Sequence, residues 1–264
     1  MNLIIEQGNT LTKIALFEEG QLAHTYAYKN AVFQPSLVEA LLRQHPCTNG
    51  ILSTVIERDE ALLALLKAEL STFFVLDERM ALPIRIGYET PHTLGRDRIA
   101  AVVGAQSLRP GSNVLVIDAG TAITYELLEA SGLYVGGNIS PGMTTRFRAL
   151  HHFTQKLPLV SEPEEVPLVG VSTESAIQAG VVNGIVLEMD GYIDLLRLKY
   201  PGLLVFLTGG HSFYFERRLK NRIFADINLV LIGLNRILEY NVENKQGSNY
   251  KCTYLYAIGR VGPE

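Results

Sequence analysis

The chain opens the same way twice. Residues 3–17 read LIIEQGNTLTKIALF and residues 115–129 read LVIDAGTAITYELLE. Superposed without a gap, Leu3 meets Leu115, Ile5 meets Ile117, Glu6 meets Asp118, Gly8 meets Gly120 and Thr12 meets Thr124. Each copy is an apolar strand, an acidic residue, a tight glycine turn and a second strand of alternating character. Each then crosses another turn, Glu18-Glu19-Gly20 or Ala130-Ser131-Gly132, into a third strand expected at Gln21 to Tyr28 and at Leu133 to Ile139. A repeat of this length separated by about half the chain implies two structural halves, each beginning as a three-stranded antiparallel meander.

After each meander the pattern alternates between helix and strand. The first half predicts a helix from Pro35 to Gln44, a strand from Ile51 to Val55, a helix from Asp59 to Leu70, a strand from Thr72 to Leu76 and a helix from Arg96 to Leu108. The Leu-rich stretch Ala61 to Leu66 reads as a buried helix face. The second half predicts helices from Pro141 to His151 and Thr173 to Lys199, then a strand from Leu203 to Leu207 running into Thr208-Gly209-Gly210. A helix from Phe213 to Lys220, a strand from Asn228 to Leu231 and a helix ending near Tyr240 follow. The acidic, proline-containing stretch Ser161 to Pro167 reads as a surface loop, and Cys252 to Ile258 as a strand-like run. Two such halves imply a duplicated α/β fold, each lobe a mixed sheet flanked by helices, with a cleft between. We expect an N-terminal lobe over residues 1–110 and a C-terminal lobe over 111–264.

Composition narrows the function classes. With 264 residues, 47% hydrophobic and 19% charged, the chain has enough length to bury a sizeable core. A net charge of -4 and a pI near 5.9 argue against a general attraction to nucleic acid or anionic lipid. Cys47 and Cys252 make neither a disulfide framework nor a metal site, and no apolar run approaches the ~20 residues that span a bilayer. Neither partner class is therefore expected, and a cytoplasmic location is. The N-terminus lacks the basic segment of a secretory signal.

The glycine turns suggest phosphate chemistry. A turn without a Cβ lets an oxyanion approach backbone N–H groups, and Asn9, Thr10 and Thr121 stand beside the two turns with side-chain donors. Glu6 and Asp118, at the strand ends, suit a hydrated Mg²⁺ or another cation held against phosphates. A single hairpin of this kind is ordinarily a plain β-turn; two at matching places support a polyphosphate site. Thr208-Gly209-Gly210 would let a base or ribose lie close to the backbone. The chain has neither a P-loop nor a G-x-G-x-x-G fingerprint.

Further motifs carry a family resemblance. Gly95-Arg96-Asp97-Arg98, after Tyr88 and Pro91, resembles the G-x-D-R signature of type III pantothenate kinases. Asp118-Ala119-Gly120-Thr121-Ala122 resembles that family's second phosphate motif and Gly8-Asn9-Thr10 the core of its first. The string from Gly136 to Gly142, then Thr173 with Gly180 and Gly184, and Thr208-Gly209-Gly210 extend the likeness from about residue 3 to residue 240. It implies the duplicated ribonuclease H-like, actin-like ATPase fold, and transfer of the ATP γ-phosphoryl group to the primary hydroxyl of pantothenate, the first step of coenzyme A synthesis. Asp97 would be the general base, since phosphoryl transfer asks chiefly for positioning and charge neutralisation. Arg98 would pair with the substrate carboxylate through its guanidinium fork. Tyr88, Gly95, Arg96 and Thr173 would complete the pocket, Thr173 coming from the partner subunit of a homodimer. Glu6, Gln7, Gly8, Asn9, Thr10, Leu11, Thr12 and Lys13, with Thr121, Gly209 and Gly210, would hold ATP. Asp118 would bind a monovalent cation, K⁺ or NH₄⁺, and Glu6 would reach Mg²⁺ through water.

The chain departs from the family pattern at Glu6 and Glu126, where aspartate is usual. The extra methylene displaces each carboxylate by about 1.5 Å, one carbon–carbon bond. A non-catalytic nucleotide-binding regulator of the same fold, like the Bvg accessory factors, is the alternative, and another small-molecule kinase of the superfamily a third. The Asp97-Arg98 pair disfavours the regulator, and the G-x-D-R segment after Tyr88 disfavours the other kinase.

Overall fold

The computed structural model describes residues 1–246; the Cys252 to Ile258 run lies outside the described residues. The chain folds into two compact units. The first comprises Met1–Pro110, Gly132–Tyr134 and the chain from Asn228; the second comprises Gly111–Ser131 and Val135–Ile227.

The first unit is built on the first meander. Strands β1 (Asn2–Gln7), β2 (Leu11–Glu18) and β3 (Gln21–Lys29) are followed by helix α1 (Pro35–Gln44), β4 (Asn49–Thr54), α2 (Glu60–Glu69) and β5 (Thr72–Val75), and the sheet order is β3-β2-β1-β4-β5. β1 and β2 are antiparallel, whereas β4 runs parallel to β1 and to β5. A mixed sheet of this order therefore brings the carboxyl ends of β1, β4 and β5 to one edge. Alternation assigns the two faces. Leu3 and Ile5 pack with Val38 and Leu42 of α1 and Leu62 and Leu66 of α2. Asn2, Ile4 and Glu6 take the other face, where the Asn2 side chain bonds Asn235 at 2.9 Å. Asp59 caps α2 by accepting the N–H groups of Ala61 and Leu62, the arrangement favoured at a helix N-cap.

Helix α3 (Arg96–Leu108) and the last helix, α7 (Leu229–Gln246), pack together on that second face. Their backbones nearly touch. A Cβ on Gly104 would lie 2.2 Å from the Leu229 carbonyl oxygen, and one on Gly233 would lie 1.7 Å from that of Ala100. The strand expected over Asn228 to Leu231 is not formed; α7 begins at Leu229 instead. Its apolar run continues through Leu234, Ile237 and Leu238, all buried, and this i, i+3, i+4 spacing makes one face of a helix. A short strand before it, β11 (Phe224–Ala225), was not expected. Nor was the two-residue β6 (Arg85–Ile86), which pairs with Leu133 and Tyr134.

The second unit repeats the plan with β7 (Val114–Ala119), β8 (Ala122–Leu128) and β9 (Leu133–Pro141), then α4 (Met143–Phe153), α5 (Thr173–Lys199), β10 (Leu204–Thr208) and α6 (Ser212–Glu216). The strand order of this sheet runs β11-β10-β7-β8-β9-β6, with β7 and β8 antiparallel and β10 parallel to β7. The core lies between this sheet and α5: Leu115, Ile117, Tyr125 and Leu207 pack with Ile177, Val182, Ile185 and Met189. Ser172 and Ser175 close a reciprocal capping box at the start of α5. Helix α6 is shorter than expected. The loop from Ser161 to Pro167 lies outside helices and strands.

Candidate active site

The two glycine turns close in the same way. The Gly8 N–H donates to the Leu11 carbonyl at 2.9 Å, and the Gly120 N–H to that of Ala122 at 3.1 Å. Those two N–H groups are therefore spent within their hairpins, and the donors available to an oxyanion are those beyond the glycine. Asn9 and Thr10 are exposed at the first tip, and Thr121 is exposed at the second. Asn30 staples the first turn: its amide donates to the Gly8 carbonyl at 2.8 Å, its N–H to that of Thr10, and its side-chain oxygen accepts from the Thr12 hydroxyl. Thr12, expected to hold nucleotide, is thus buried in structural service. Leu11 is exposed beside the tip, and the buried Gln7 has a side-chain oxygen without a hydrogen-bond partner.

Glu6 and Lys13 lie opposite each other in the β1–β2 ladder, and Lys13 Nζ stands 3.9 Å from the Glu6 carboxylate. Burial pushes the Glu6 carboxyl above its ordinary range; Lys13 opposes the rise and the negative charge of Asp97 adds to it. Two carboxylates of the first unit therefore share one electrostatic neighbourhood, the arrangement that a cation relieves.

Asp97 owes its position to Gly95. One carboxylate oxygen turns back to accept the Arg98 N–H at 2.9 Å, and a Cβ on Gly95 would lie only 2.5 Å from that oxygen. Arg98, buried at 8% exposure, donates to the Tyr134 hydroxyl at 3.2 Å, and its guanidinium carbon lies 5.6 Å from the centre of the Tyr88 ring. Tyr88 and Tyr134 flank one another at 6.1 Å between ring centres. Gly95, Asp97, Arg98 and Tyr88 are thus gathered at the start of α3. Arg96 instead lines a cleft of about 450 Å³ that includes Thr54, Arg58 and Arg79.

In the second unit Asp118 lies in register with Thr208 of β10 and Thr124 of β8. Gly209, at φ +91, brings its backbone against the acid: a Cβ there would lie 2.3 Å from an Asp118 carboxylate oxygen and 2.7 Å from Ala119 N. The His211 N–H bonds the Ala119 carbonyl at 3.1 Å, securing the turn that contains Gly210. Gly142 seats the other side, since a Cβ there would lie 2.2 Å from the Gly120 carbonyl oxygen. The Ser212 hydroxyl, at the start of α6, is fully buried without a hydrogen-bond partner. A polar knot nearby joins Glu188 of α5 to Arg146, Ser140 and Tyr125. Burial alone would raise the Glu188 carboxyl, but the hydrogen bonds from Ser140, Arg146 and Tyr125 outweigh it and hold it below the usual range. Thr173 is exposed as the first residue of α5. Among the described residues no cluster of three or more His, Cys, Asp and Glu side chains forms a metal cage.

Sequence reasoning missed Tyr134, Asn30 and Glu188. Tyr134 sits in an ordinary strand pattern, and neither Asn30 nor Glu188 belongs to a motif, so nothing local marked them.

Two mixed sheets, each opened by an acid–glycine hairpin, define the duplicated actin-like fold. Solved structures share it: a putative Baf family transcriptional activator from Campylobacter jejuni has a TM-score of 0.57 at 21% identity, over 91% of this chain and 99% of that one. A putative 2-dehydro-3-deoxygalactonokinase from Sinorhizobium meliloti has a TM-score of 0.55 at 13% identity, again over 91% and 99%. The sequence profile of the type III pantothenate kinase family matches residues 2–195. Type III pantothenate kinases from Phocaeicola vulgatus and Cytophaga hutchinsonii are 49% and 45% identical to it, over 91% and 92% of this chain and 99% and 100% of theirs. The chain belongs to the type III pantothenate kinase family.

Proposed function

We propose that the protein transfers the γ-phosphoryl group of ATP to the primary hydroxyl of pantothenate, giving 4′-phosphopantothenate and ADP. The observation that carries this reading is the Asp97 carboxylate, folded over Gly95 at the head of α3 in a chain 49% identical to type III pantothenate kinases. The hydroxyl oxygen forms the new bond to the γ-phosphorus while the bond from that phosphorus to the β–γ bridging oxygen breaks. ADP leaves with that electron pair, and the hydroxyl proton passes to the Asp97 carboxylate, a transfer general-base catalysis makes fast when the base is within hydrogen-bond reach. Gly95 and Tyr88 shape the acceptor pocket, and Arg98 answers the acceptor carboxylate with Tyr134 fixing its plane. Arg96 precedes the base in the first turn of α3 and lines the cleft with Arg58 and Arg79.

Asn9, Thr10 and Lys13 in the first hairpin, and Thr121 in the second, serve as phosphate donors; Glu6, Gln7, Gly8, Leu11 and Thr12 form the frame behind them. Gly209 and Gly210 admit the nucleoside against bare backbone. The Glu6–Asp97 neighbourhood fits Mg²⁺ held through water and phosphate oxygens, as this ion prefers, and the Asp118 carboxylate beside Gly209 fits K⁺ or NH₄⁺. Bound there, such cations would supply positive charge against the polyphosphate.

The site is completed by a second copy of the chain. Gly180, Gly184, Leu187, Gly191, Leu195 and Leu198 recur on one face of α5 at helical spacing. Nothing lies within 4 Å of a Cβ added at any of the three glycines, and Leu187, Leu195 and Leu198 are 69%, 66% and 82% exposed. An apolar stripe with open glycines suits close helix pairing, and the family resemblance gives the partner subunit's Thr173 a part in the acceptor pocket.

The test is ADP release from ATP and Mg²⁺ with pantothenate, in K⁺ and then Na⁺ buffer, beside Asp97→Asn. Pantothenate-dependent release that needs K⁺ and vanishes in the variant supports the reading. Nucleotide binding without release points to a regulator instead, and Glu6→Asp is then the variant to assay. Light scattering at micromolar concentration reports the dimer; a monomer there removes the role given to Thr173.

A further inference from the structure

Three arginines from three separate segments converge on one cleft of the first unit. Arg58 stands in the loop between β4 and α2, Arg79 in the turn after β5, and Arg96 opens α3. They line a cleft of about 450 Å³ together with Thr54, Asp77 and Glu78. Among the described residues none of the three forms a salt bridge. Asp77, in the same lining, has one carboxylate oxygen engaged: it accepts the Arg79 N–H at 2.8 Å and closes the turn. Arg58, Asp77, Glu78 and Arg79 are exposed, and Arg96 is half-buried.

Three arginines against two acids leave the cleft one positive charge in excess, which a bound anion would offset. The helix adds to the imbalance. Arg96 and Arg98 both lie in the first turn of α3 with Asp97 the single acid there, although a helix N-terminus carries positive partial charge and ordinarily selects acids. A local rule broken in this way is characteristic of a working site. The cleft also lies at the carboxyl ends of the parallel strands β4 and β5, where open α/β sheets bind their ligands.

The number of forks selects the ligand. A carboxylate offers two oxygens in one plane, which one guanidinium saturates. Three guanidinium groups arriving from three segments suit a tetrahedral anion with three equivalent oxygens. We propose that Arg58, Arg79 and Arg96 form a binding site for a phosphate group, separate from the carboxylate role given to Arg98. Phosphomonoesters and free inorganic phosphate share that chemistry. The proposal rests on the geometry of this unit and not on the identity of the acceptor.

Isothermal titration calorimetry tests it, with inorganic phosphate and 4′-phosphopantothenate each titrated into the full-length protein in chloride buffer. The wild type is expected to bind at least one probe with millimolar or tighter affinity. Arg58→Ala/Arg79→Ala should weaken that binding at least about tenfold, the size of one lost charge-assisted contact. Arg58→Lys/Arg79→Lys should recover part of it by keeping charge without the forks. Near-unchanged thermal unfolding of the variants excludes misfolding as the cause. Tighter binding of the ester would assign the site to the phosphorylated product, and equal binding would assign it to free phosphate. No binding of either probe by the wild type at about 10 mM, or equal binding by wild type and the alanine pair, overturns the proposal.

Discussion

Replacing Gly95 with alanine separates the placement of Asp97 from the stability of the fold. The new Cβ would lie 2.5 Å from an Asp97 carboxylate oxygen, and ordinary contact begins at 3.4 Å. The carboxylate must therefore retreat by about 0.9 Å, and a misplacement of about 1 Å at a reacting group costs about 10²-fold in rate. The other close neighbours are the Arg98 side-chain carbons, at 3.4 Å, so no backbone need move. Gly95 has φ -56, a value alanine adopts without strain. Stability should fall by about 1 kcal/mol, the loss of the hydrogen bond from the Arg98 N–H. Steady-state ADP release should then show kcat down by about two orders of magnitude, while thermal unfolding moves by only about 2–4 °C. A kcat within about threefold of wild type, well inside the expected loss, would refute the argument that Gly95 exists to seat the base.

Gly209→Ala should behave in the opposite sense. At φ +91, with Ala119 backbone 2.7 Å from the new Cβ, it should cost about 1–3 kcal/mol in unfolding free energy and reduce sensitivity to K⁺ through the displaced Asp118; calorimetry and a K⁺ titration check both. Glu6→Gln should raise the unfolding temperature at pH 7–8. The raised Glu6 pKa means that the folded protein favours the protonated carboxyl, a contribution fully present below the ordinary carboxylate pKa and lost as pH rises through the folded value. The advantage of the variant should therefore disappear in acid, and a constant difference across pH would contradict it. Glu188→Gln should cost about 1–3 kcal/mol near neutrality, where the charged partner Arg146 loses its counter-ion. Glu188 is held below its usual pKa, so its contribution is present above the unfolded value and lost as pH falls through the folded one; urea titrations at pH 7 and pH 3.5 measure the difference.

The internal repeat made most of the fold legible. The predicted bounds of α1, α3 and α5, Pro35 to Gln44, Arg96 to Leu108 and Thr173 to Lys199, coincide with those observed. Their ends carry local signals: Pro35 at the first turn, Gly95 before α3 and Ser172 before α5. The start of α7 was misread because Leu229 to Ile232 is contiguous and apolar, and four such residues suit a buried strand as well as a helix. Tertiary contact decided it, through the crossing at Gly104 and Gly233. The acid, the arginine and the glycine turns of the site stood in motifs. What the sequence did not reveal was how each is held: Tyr134 against Arg98, Asn30 under the first turn and Gly209 against Asp118. Those supports come from residues far apart in the chain and chosen by packing, which leaves no periodic trace.

The embrace of α3 by α7 also sets an order of events during synthesis. Helix α3 presents Asp97, yet the helix it leans on emerges only after residue 229 has been added. Nearly all of the second unit is a contiguous stretch of chain complete by Ile227, so it can settle while the first still lacks a wall. The half of the protein made first is thus the half finished last. A ribosome-bound chain stopped short of α7 would carry every motif of the site and leave α3 without its seat.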